Sequence, residues 1–229
     1  MRLWGIHLLA FGTLIACAAL DPLFGSFWPV WHFETSTGHP IGRVLPSGIA
    51  LLVAGATLSA IVIRTGLRST PKSRSLLQLL AITAVIALWC SFSTCHHALA
   101  WHGKRLRFAF RTDQLESLAA PLRRSWPTED GKLEGLGPFM AYPFGTPQTL
   151  LLLEAPRLDG RVYVAAIEQG ETGAIRMQIM GTDGGDWVEW HPDDGTPSSF
   201  IGGLGDQHQL AKFDRIGRGW YLARYQSTE

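Results

Sequence analysis

Three long uncharged stretches in the first hundred residues constrain this chain more than any other feature. Leu3–Leu20 carries no charged side chain, and His7 is its only strongly polar group. Val44–Ile63 is uncharged between Arg43 and Arg64, and Leu76–Ala100 is uncharged between Arg74 and the pair Lys104 and Arg105. A helix of about 18 residues rises roughly 27 Å, close to the hydrocarbon thickness of a bilayer, about 30 Å. Core helices of soluble proteins usually carry a polar stripe at helical spacing, and none of these runs has one. The pattern predicts a membrane protein with three transmembrane α-helices, over about 3–20, 44–63 and 76–100, with the lipid bilayer as its first partner.

The distribution of charge divides the rest. Of 39 Asp, Glu, Lys and Arg side chains, only Arg2, Asp21, Glu34, Arg43, Arg64, Arg68, Lys72 and Arg74 fall within residues 1–101. The others follow. We therefore expect a membrane region over 1–101, a juxtamembrane connection over 102–111 and an extramembrane domain over 112–229. Asp21-Pro22 closes the first span, because proline cannot continue the helix ladder. That span has a second reading as a secretory signal, since Leu14-Ile15-Ala16-Cys17 resembles a lipobox whose cysteine is lipidated. In the second span, Ala50/Ala54, Ala56/Ala60 and Gly55/Ser59 are small residues four apart, a spacing that lets helices approach in lipid. Gly55 and Ser59 are the candidates for helix–helix self-association.

Orientation follows from the loop over 64–75, where Arg64, Arg68, Lys72 and Arg74 occur with no acid. Short basic loops stay in the cytoplasm. That places the C-terminal domain outside a cell membrane. Lys104, Arg105, Arg107 and Arg111 compete with this assignment, but they alternate with Leu106, Phe108 and Phe110, as at the start of a folded element. The outer loop interleaves Phe24, Phe27, Trp28, Trp31 and Phe33 with prolines and glycines, which suggests a segment at headgroup level.

The tail reads as a small α+β domain with a mainly antiparallel sheet. Leu115, Leu118, Ala119 and Leu122 recur at helical spacing over Thr112–Trp126; Thr112 is placed to cap this helix and Pro121 to kink or divide it. Residues 127–147 are rich in Gly and Pro and read as a loop or linker. Strands are expected over Gln148–Glu154, Arg161–Glu168, Ala174–Met180, Trp187–Trp190, Gln209–Phe213 and Gly219–Tyr225, with a hairpin turn at Gln169–Gly173. Five or six strands with one helix packed on them would make one core.

Three groups of residues could carry chemistry. Cys90, Cys95, His96, His97 and His102 cluster near the end of the third span, on the same expected side as His32, Glu34 and His39. Imidazole and thiolate suit zinc or copper, although the spacing matches no standard motif and His96 and His97 point to different sides of a helix. Polar residues at an interfacial helix end are the simpler explanation. Cys90 and Cys95 are too far apart along a helix to form a disulfide. The acidic loop, Asp183, Asp186, Glu189, Asp193 and Asp194 among glycines, could bind calcium through oxygen, or could be a solvated turn. Trp187 and Trp190 lie on opposite faces of a strand and cannot form one stacking platform.

Gly202-Gly203-Leu204-Gly205 lacks the third glycine of a dinucleotide fingerprint, and no P-loop, nucleophile elbow or metalloprotease helix occurs. The tail is not basic enough to favour nucleic acid as a partner. No cofactor is implied. The reading is a membrane-anchored extracytoplasmic domain that binds a protein or ligand partner and is not an enzyme. The alternative is a membrane-bound enzyme or metal-handling protein, using Cys95, His96, His97 and His102 or the acidic loop at Asp183 and Asp186.

Overall fold

The computed structural model describes residues 2–20, 41–67, 76–159, 162–182, 185–193 and 195–227. The aromatic loop with His32, Glu34 and His39, most of the basic loop, and the acids Asp183 and Asp194 lie outside them. The chain forms two compact units, Met1–Gly103 and Lys104–Glu229.

The first unit is helical: α1 (Arg2–Leu20), α2 (Ile41–Leu67) and the greater part of α3 (Leu76–Ala109). Its interior is Phe11, Leu14, Ala18, Ala50 and Phe92, with Trp89 and Leu99 packed against it. Ala50 and Ala54 face this interior, at 6% and 0% exposure, so one of the small-residue pairs of α2 lets it close on α1. Gly55 and Ser59 face outward instead. His7 ties the three helices together. Its Nδ1 lies 3.1 Å from the Ala54 carbonyl and 3.2 Å from Thr57 Oγ1, while Trp89 Nε1 donates to its Nε2 at 3.3 Å. With Nε2 accepting from Trp89, Nδ1 is the ring nitrogen left to donate to the Ala54 carbonyl. Both ring nitrogens are satisfied where burial would make an unpaired one costly.

Two helical stretches, Leu3–Leu20 and Leu79–Ala109, are long and apolar enough to cross a membrane, and the apolar stretch Ile49–Arg64 of α2 is shorter. The third helix does not stop where the uncharged run stops. It continues through Lys104–Arg107 to Ala109, so the alternation of charged and apolar residues there lies on a helix rather than opening a separate element.

In the second unit, α4 (Thr112–Arg124) buries the expected stripe of Leu115, Leu118, Ala119 and Leu122. The proline does not divide the helix. Pro121 sits in the last turn, and the carbonyl it cannot bond is that of exposed Ser117. Thr112 is not the cap: Arg111 holds the N-cap position, and Thr112 Oγ1 donates backward to Ala109 O at 3.2 Å.

The sheet is larger than expected. Ten strands take part: β1 (Gly131–Leu133), β2 (Gly137–Tyr142), β3 (Thr149–Leu152), β4 (Arg157–Asp159), β5 (Val162–Gln169), β6 (Ile175–Met180), β7 (Asp186–Trp190), β8 (Phe200–Ile201), β9 (Gln207–Arg215) and β10 (Trp220–Ser227). Their order is β1-β2-β3-β5-β6-β7-β10-β9-β8, with β4 paired to β5, and every pairing is antiparallel. β1 and β2 occupy the stretch read as a Gly/Pro linker. Gly135 and Gly137, both at φ +81°, make the turn between them, where a left-handed backbone favours glycine.

Register gives the sheet two unlike faces. Ile175, Met177, Val188, Trp190, Trp220 and Leu222 share one face, which α4 covers. Trp220 Nε1 donates to Glu116 of α4 at 3.2 Å, and the Arg123 guanidinium lies 4.1 Å above the Trp190 ring. The opposite face carries Thr149, Glu168, Arg176, Trp187, Glu189 and Tyr221. The β8–β9 hairpin covers it. Phe200 of that hairpin packs edge-on against Trp187 at 5.5 Å, and His208 meets Trp187 at 5.1 Å. In pairing order β9 is four steps from β5, yet its hairpin returns to β3 and β5 because the sheet curls, as twisted sheets do.

Candidate functional site

Burying charge without a partner is costly, so each charged group under this sheet must be accounted for. Three polar clusters result. The first is Asp186 at the start of β7, fully buried. Lys104 Nζ donates to its Oδ2 at 2.7 Å, and Arg224, its cross-strand neighbour on β10, donates to Oδ1 from Nε at 2.8 Å and from Nη2 at 2.6 Å. Both oxygens of this expected calcium ligand are thereby engaged by cations. Lys104 belongs to the same compact unit as Asp186, Lys104–Glu229.

The second cluster centres on Glu189, also fully buried. Tyr225 Oη donates to Oε1 at 2.5 Å, His191 Nε2 lies 2.7 Å from Oε2, and Arg176 Nε stands 3.6 Å from the same oxygen. Burial and the Glu189 charge push the Tyr225 hydroxyl far above its ordinary range, so it stays a protonated donor. The Arg176 guanidinium also stacks 4.1 Å from the Phe200 ring. Around this carboxylate the network closes: two hydrogen-bonding groups and one cation meet Glu189, although Arg176 Nε at 3.6 Å makes no hydrogen bond of its own.

The third cluster is not closed. Glu168 near the end of β5, Asp206 in the hairpin turn and His208 on β9 bring one ligand atom each within 4.8 Å of one another. Glu168 and His208 are buried, at 5% and 7% exposure, whereas the Asp206 side chain is half exposed. Glu168 accepts from Thr149 Oγ1 at a long 3.4 Å and from the Gly203 amide. Burial, then the Asp206 charge, pushes its carboxyl up from 4.5 to about 7. His208 Nε2 lies 2.6 Å from Asp206 Oδ2, but out of line for a hydrogen bond, and that buried nitrogen has no other partner.

Glycines build the closeness of this cluster. A Cβ on Gly202 would stand 2.5 Å from Asp206 Oδ1 and 2.8 Å from Glu168 Oε1, and one on Gly203 would overlap Thr149 Oγ1. The Gly-Gly-Leu-Gly run is the turn that presses the hairpin onto β3 and β5, with Gly202 N donating to Asp206 O at 2.8 Å. Sequence reasoning noticed these residues only as a failed nucleotide motif. Neither Glu168 nor Asp206 was singled out, since nothing local marks them as neighbours.

The sequence candidates are dispersed. Among the described residues, no three of Cys95, His96, His97, His102, Asp186, Glu189 and Asp193 come together as ligands. His96 is buried, with Nδ1 2.9 Å from Ser93 O, and His97 is exposed. Their rings nevertheless approach to 3.9 Å between centroids, closer than opposite sides of a helix would suggest. Cys17, Cys90 and Cys95 form no disulfide, and Cys90, Cys95 and His102 are exposed. Trp187 and Trp190 do take opposite faces of β7, the first among Phe200, His208 and Tyr225. An open groove along Lys132–Gly137 and Glu154–Pro156 lies at the sheet edge, away from all three clusters. No protein-family model, curated protein or solved structure matches the chain significantly.

Proposed function

We propose that residues 1–101 anchor this protein in a cell membrane through three spanning helices, and that its C-terminal domain is displayed outside the cytoplasm to bind a ligand or protein partner. One observation carries the anchoring: the outward surface of the helical unit is apolar. Leu9, Leu52 and Leu76 are each 74% exposed, and Leu20, Leu80 and Ile63 are exposed beside them. A helix in the core of a soluble protein would bury such side chains, yet only 28% of the Leu3–Leu20 window and 17% of the α3 window are buried. Lipid is the solvent that suits this surface.

The orientation rests on the basic loop over 64–75. The binding role is supported by Met140, Tyr142 and Phe144, which leave an exposed apolar and aromatic strip along β2. Outward-facing Gly55 and Ser59 leave α2 a surface on which a second copy could pack.

Reporter fusions after Ser69 and after Glu229 test this reading, using one reporter active inside and one active outside. We expect an inside signal from Ser69 and an outside signal from Glu229, with the protein retained in membranes after alkaline extraction. The reversed signals would refute the orientation. Signals from the same side would remove the third span, and release by alkali would remove the anchoring itself.

A further inference from the structure

We propose that Glu168, Asp206 and His208 form a binding site for one divalent transition-metal ion of the zinc type, which pins the β8–β9 hairpin to β5. The three groups lie within 4.8 Å of one another, and they come from different parts of the sheet that only its curl brings together. Two carboxylate oxygens and one imidazole nitrogen are the mixed donor set that borderline divalent ions accept; calcium and magnesium prefer all-oxygen shells. At a zinc–ligand distance of about 2.1 Å, tetrahedral ligands stand roughly 3.4 Å apart. The cluster therefore needs only rotamer-scale adjustment, opening the 2.6 Å His208–Asp206 approach and drawing the longer separations in.

The second observation is the state of the buried groups. His208 is more than nine-tenths buried, and its Nε2 points at the cluster without an aligned hydrogen bond. In the neutral ring with its proton on Nδ1, this nitrogen would present a lone pair to a cation. Glu168 is as deeply buried and accepts only the weak Thr149 contact and one amide. The neighbouring Glu189 cluster shows how this protein supplies a buried carboxylate without an ion: Tyr225 and His191 meet it at hydrogen-bond distance, and the Arg176 guanidinium stands 3.6 Å away as a counter-charge. At Glu168 the acid Asp206 approaches instead, and two carboxylates beside each other are relieved by a cation between them.

Access and coordination number also fit. Asp206 is half exposed, so an ion can enter from solvent through the hairpin turn. Three protein ligands leave a fourth position for water or for an anionic group of a ligand. Around the site, Trp187 and Tyr225 hold the His208 ring by edge-to-face contacts at 5.1 and 6.0 Å and Phe200 by a tilted contact at 4.6 Å, limiting its rotation. Nothing in this site depends on how the helices lie in a membrane, so the topology and the metal site stand or fall separately.

The test uses the full chain in detergent, stripped with a chelator and titrated with Zn²⁺ against a chromophoric competitor. We expect one Zn²⁺ per chain, preferred over Ca²⁺, and visible d–d bands of a low-coordinate nitrogen–oxygen site when Co²⁺ replaces it. Asp206→Asn should weaken Zn²⁺ at least tenfold while leaving the metal-free unfolding midpoint unchanged, since that side chain is half in solvent. His208→Gln should weaken Zn²⁺ likewise, with a lower metal-free midpoint because its buried ring packs against Trp187, Phe200 and Tyr225, and His97→Ala should leave binding untouched. Substoichiometric zinc, tighter calcium, binding indifferent to Asp206→Asn, or binding lost instead in His97→Ala would each overturn the assignment.

Discussion

Replacing Lys104 by Met tests where the C-terminal domain begins. The ammonium is 1% exposed and donates at 2.7 Å to Asp186 Oδ2, on a carboxylate that is 0% exposed. Met keeps most of the apolar stem, so the change removes charge more than volume. Breaking a buried ion pair by removing one partner costs about 3–5 kcal/mol, because the remaining charge is stranded away from water. Here Arg224 still holds Oδ1 through two bonds, so the lower end applies, about 3 kcal/mol. Against a total stability of about 5–15 kcal/mol that is a large fraction. Chemical unfolding of the domain, followed by tryptophan fluorescence, should show a lower midpoint with an unchanged slope. The double variant Lys104→Met with Asp186→Leu should recover much of the loss, since Arg224 is already 30% exposed and can turn to solvent. The same reasoning ranks fragments: residues 104–229 should be more stable than residues 112–229, which also lack the buried Phe108 ring. A loss under about 0.5 kcal/mol for Lys104→Met, the size of an ordinary surface substitution, would refute the pair as a structural element.

Three further outcomes are expected. In chelator, domain stability should fall as pH rises: a carboxyl raised from 4.5 to about 7 is favoured protonated in the folded state, so its contribution of about 3 kcal/mol is present below pH 4.5 and lost through pH 7. Glu168→Gln should flatten that slope; Thr149, Arg176, Asp206 and His208 are the polar groups around this carboxyl, and a slope unchanged by the substitution would assign the titration to one of the others. Gly202→Ala should weaken zinc at least tenfold with the sheet intact by circular dichroism, because its Cβ would enter the space between Asp206 Oδ1 and Glu168 Oε1; unaltered affinity would show that the turn does not crowd the site. Leu115→Ala, at a fully buried position on α4, should cost about 3 kcal/mol in unfolding experiments, and a cost below about 1 kcal/mol would mean the helix is not docked on the sheet.

The sequence was informative wherever a periodic pattern met a single environment. The four apolar positions of α4 are the four that are buried. The β5–β6 hairpin closes at the predicted turn, with Gly170 N donating to Ala174 O at 2.8 Å. It was uninformative where local chemistry and tertiary context disagree. Glycine and proline argued for a linker over 127–147, yet Phe139 and Ala141 are buried in β2, because register against β3 outweighs weak strand propensity. The charges after Ala100 suggested that the third helix had ended. Lys104 stays in it because Asp186 compensates the burial, and Asp186 is 82 residues away in sequence.

The same distance argument explains why the zinc-type cluster was invisible while the acidic loop drew notice. Ligands that share a loop announce themselves by spacing; ligands that share only a sheet face do not. Glu168 and His208 are forty residues apart and on strands that never pair. What unites them is a demand that the sheet itself creates. A sheet with α4 over an apolar face can leave its other face wet, but here the β8–β9 hairpin covers that face and buries Glu168, Arg176 and Glu189 beneath it. Each buried carboxylate then requires a counter-charge or a proton. Glu189 draws on Arg176 and on two strong donors, Tyr225 and His191. Arg176, the cross-strand neighbour of Glu168, favours its charge but makes its ion pair with Glu189 and stacks on Phe200; among the described residues no side-chain cation makes an ion pair with Glu168, while Asp206 brings a second negative charge towards it. A bound cation resolves that imbalance without exposing the hairpin, which is why the site follows from the architecture of the domain rather than from any motif in the chain.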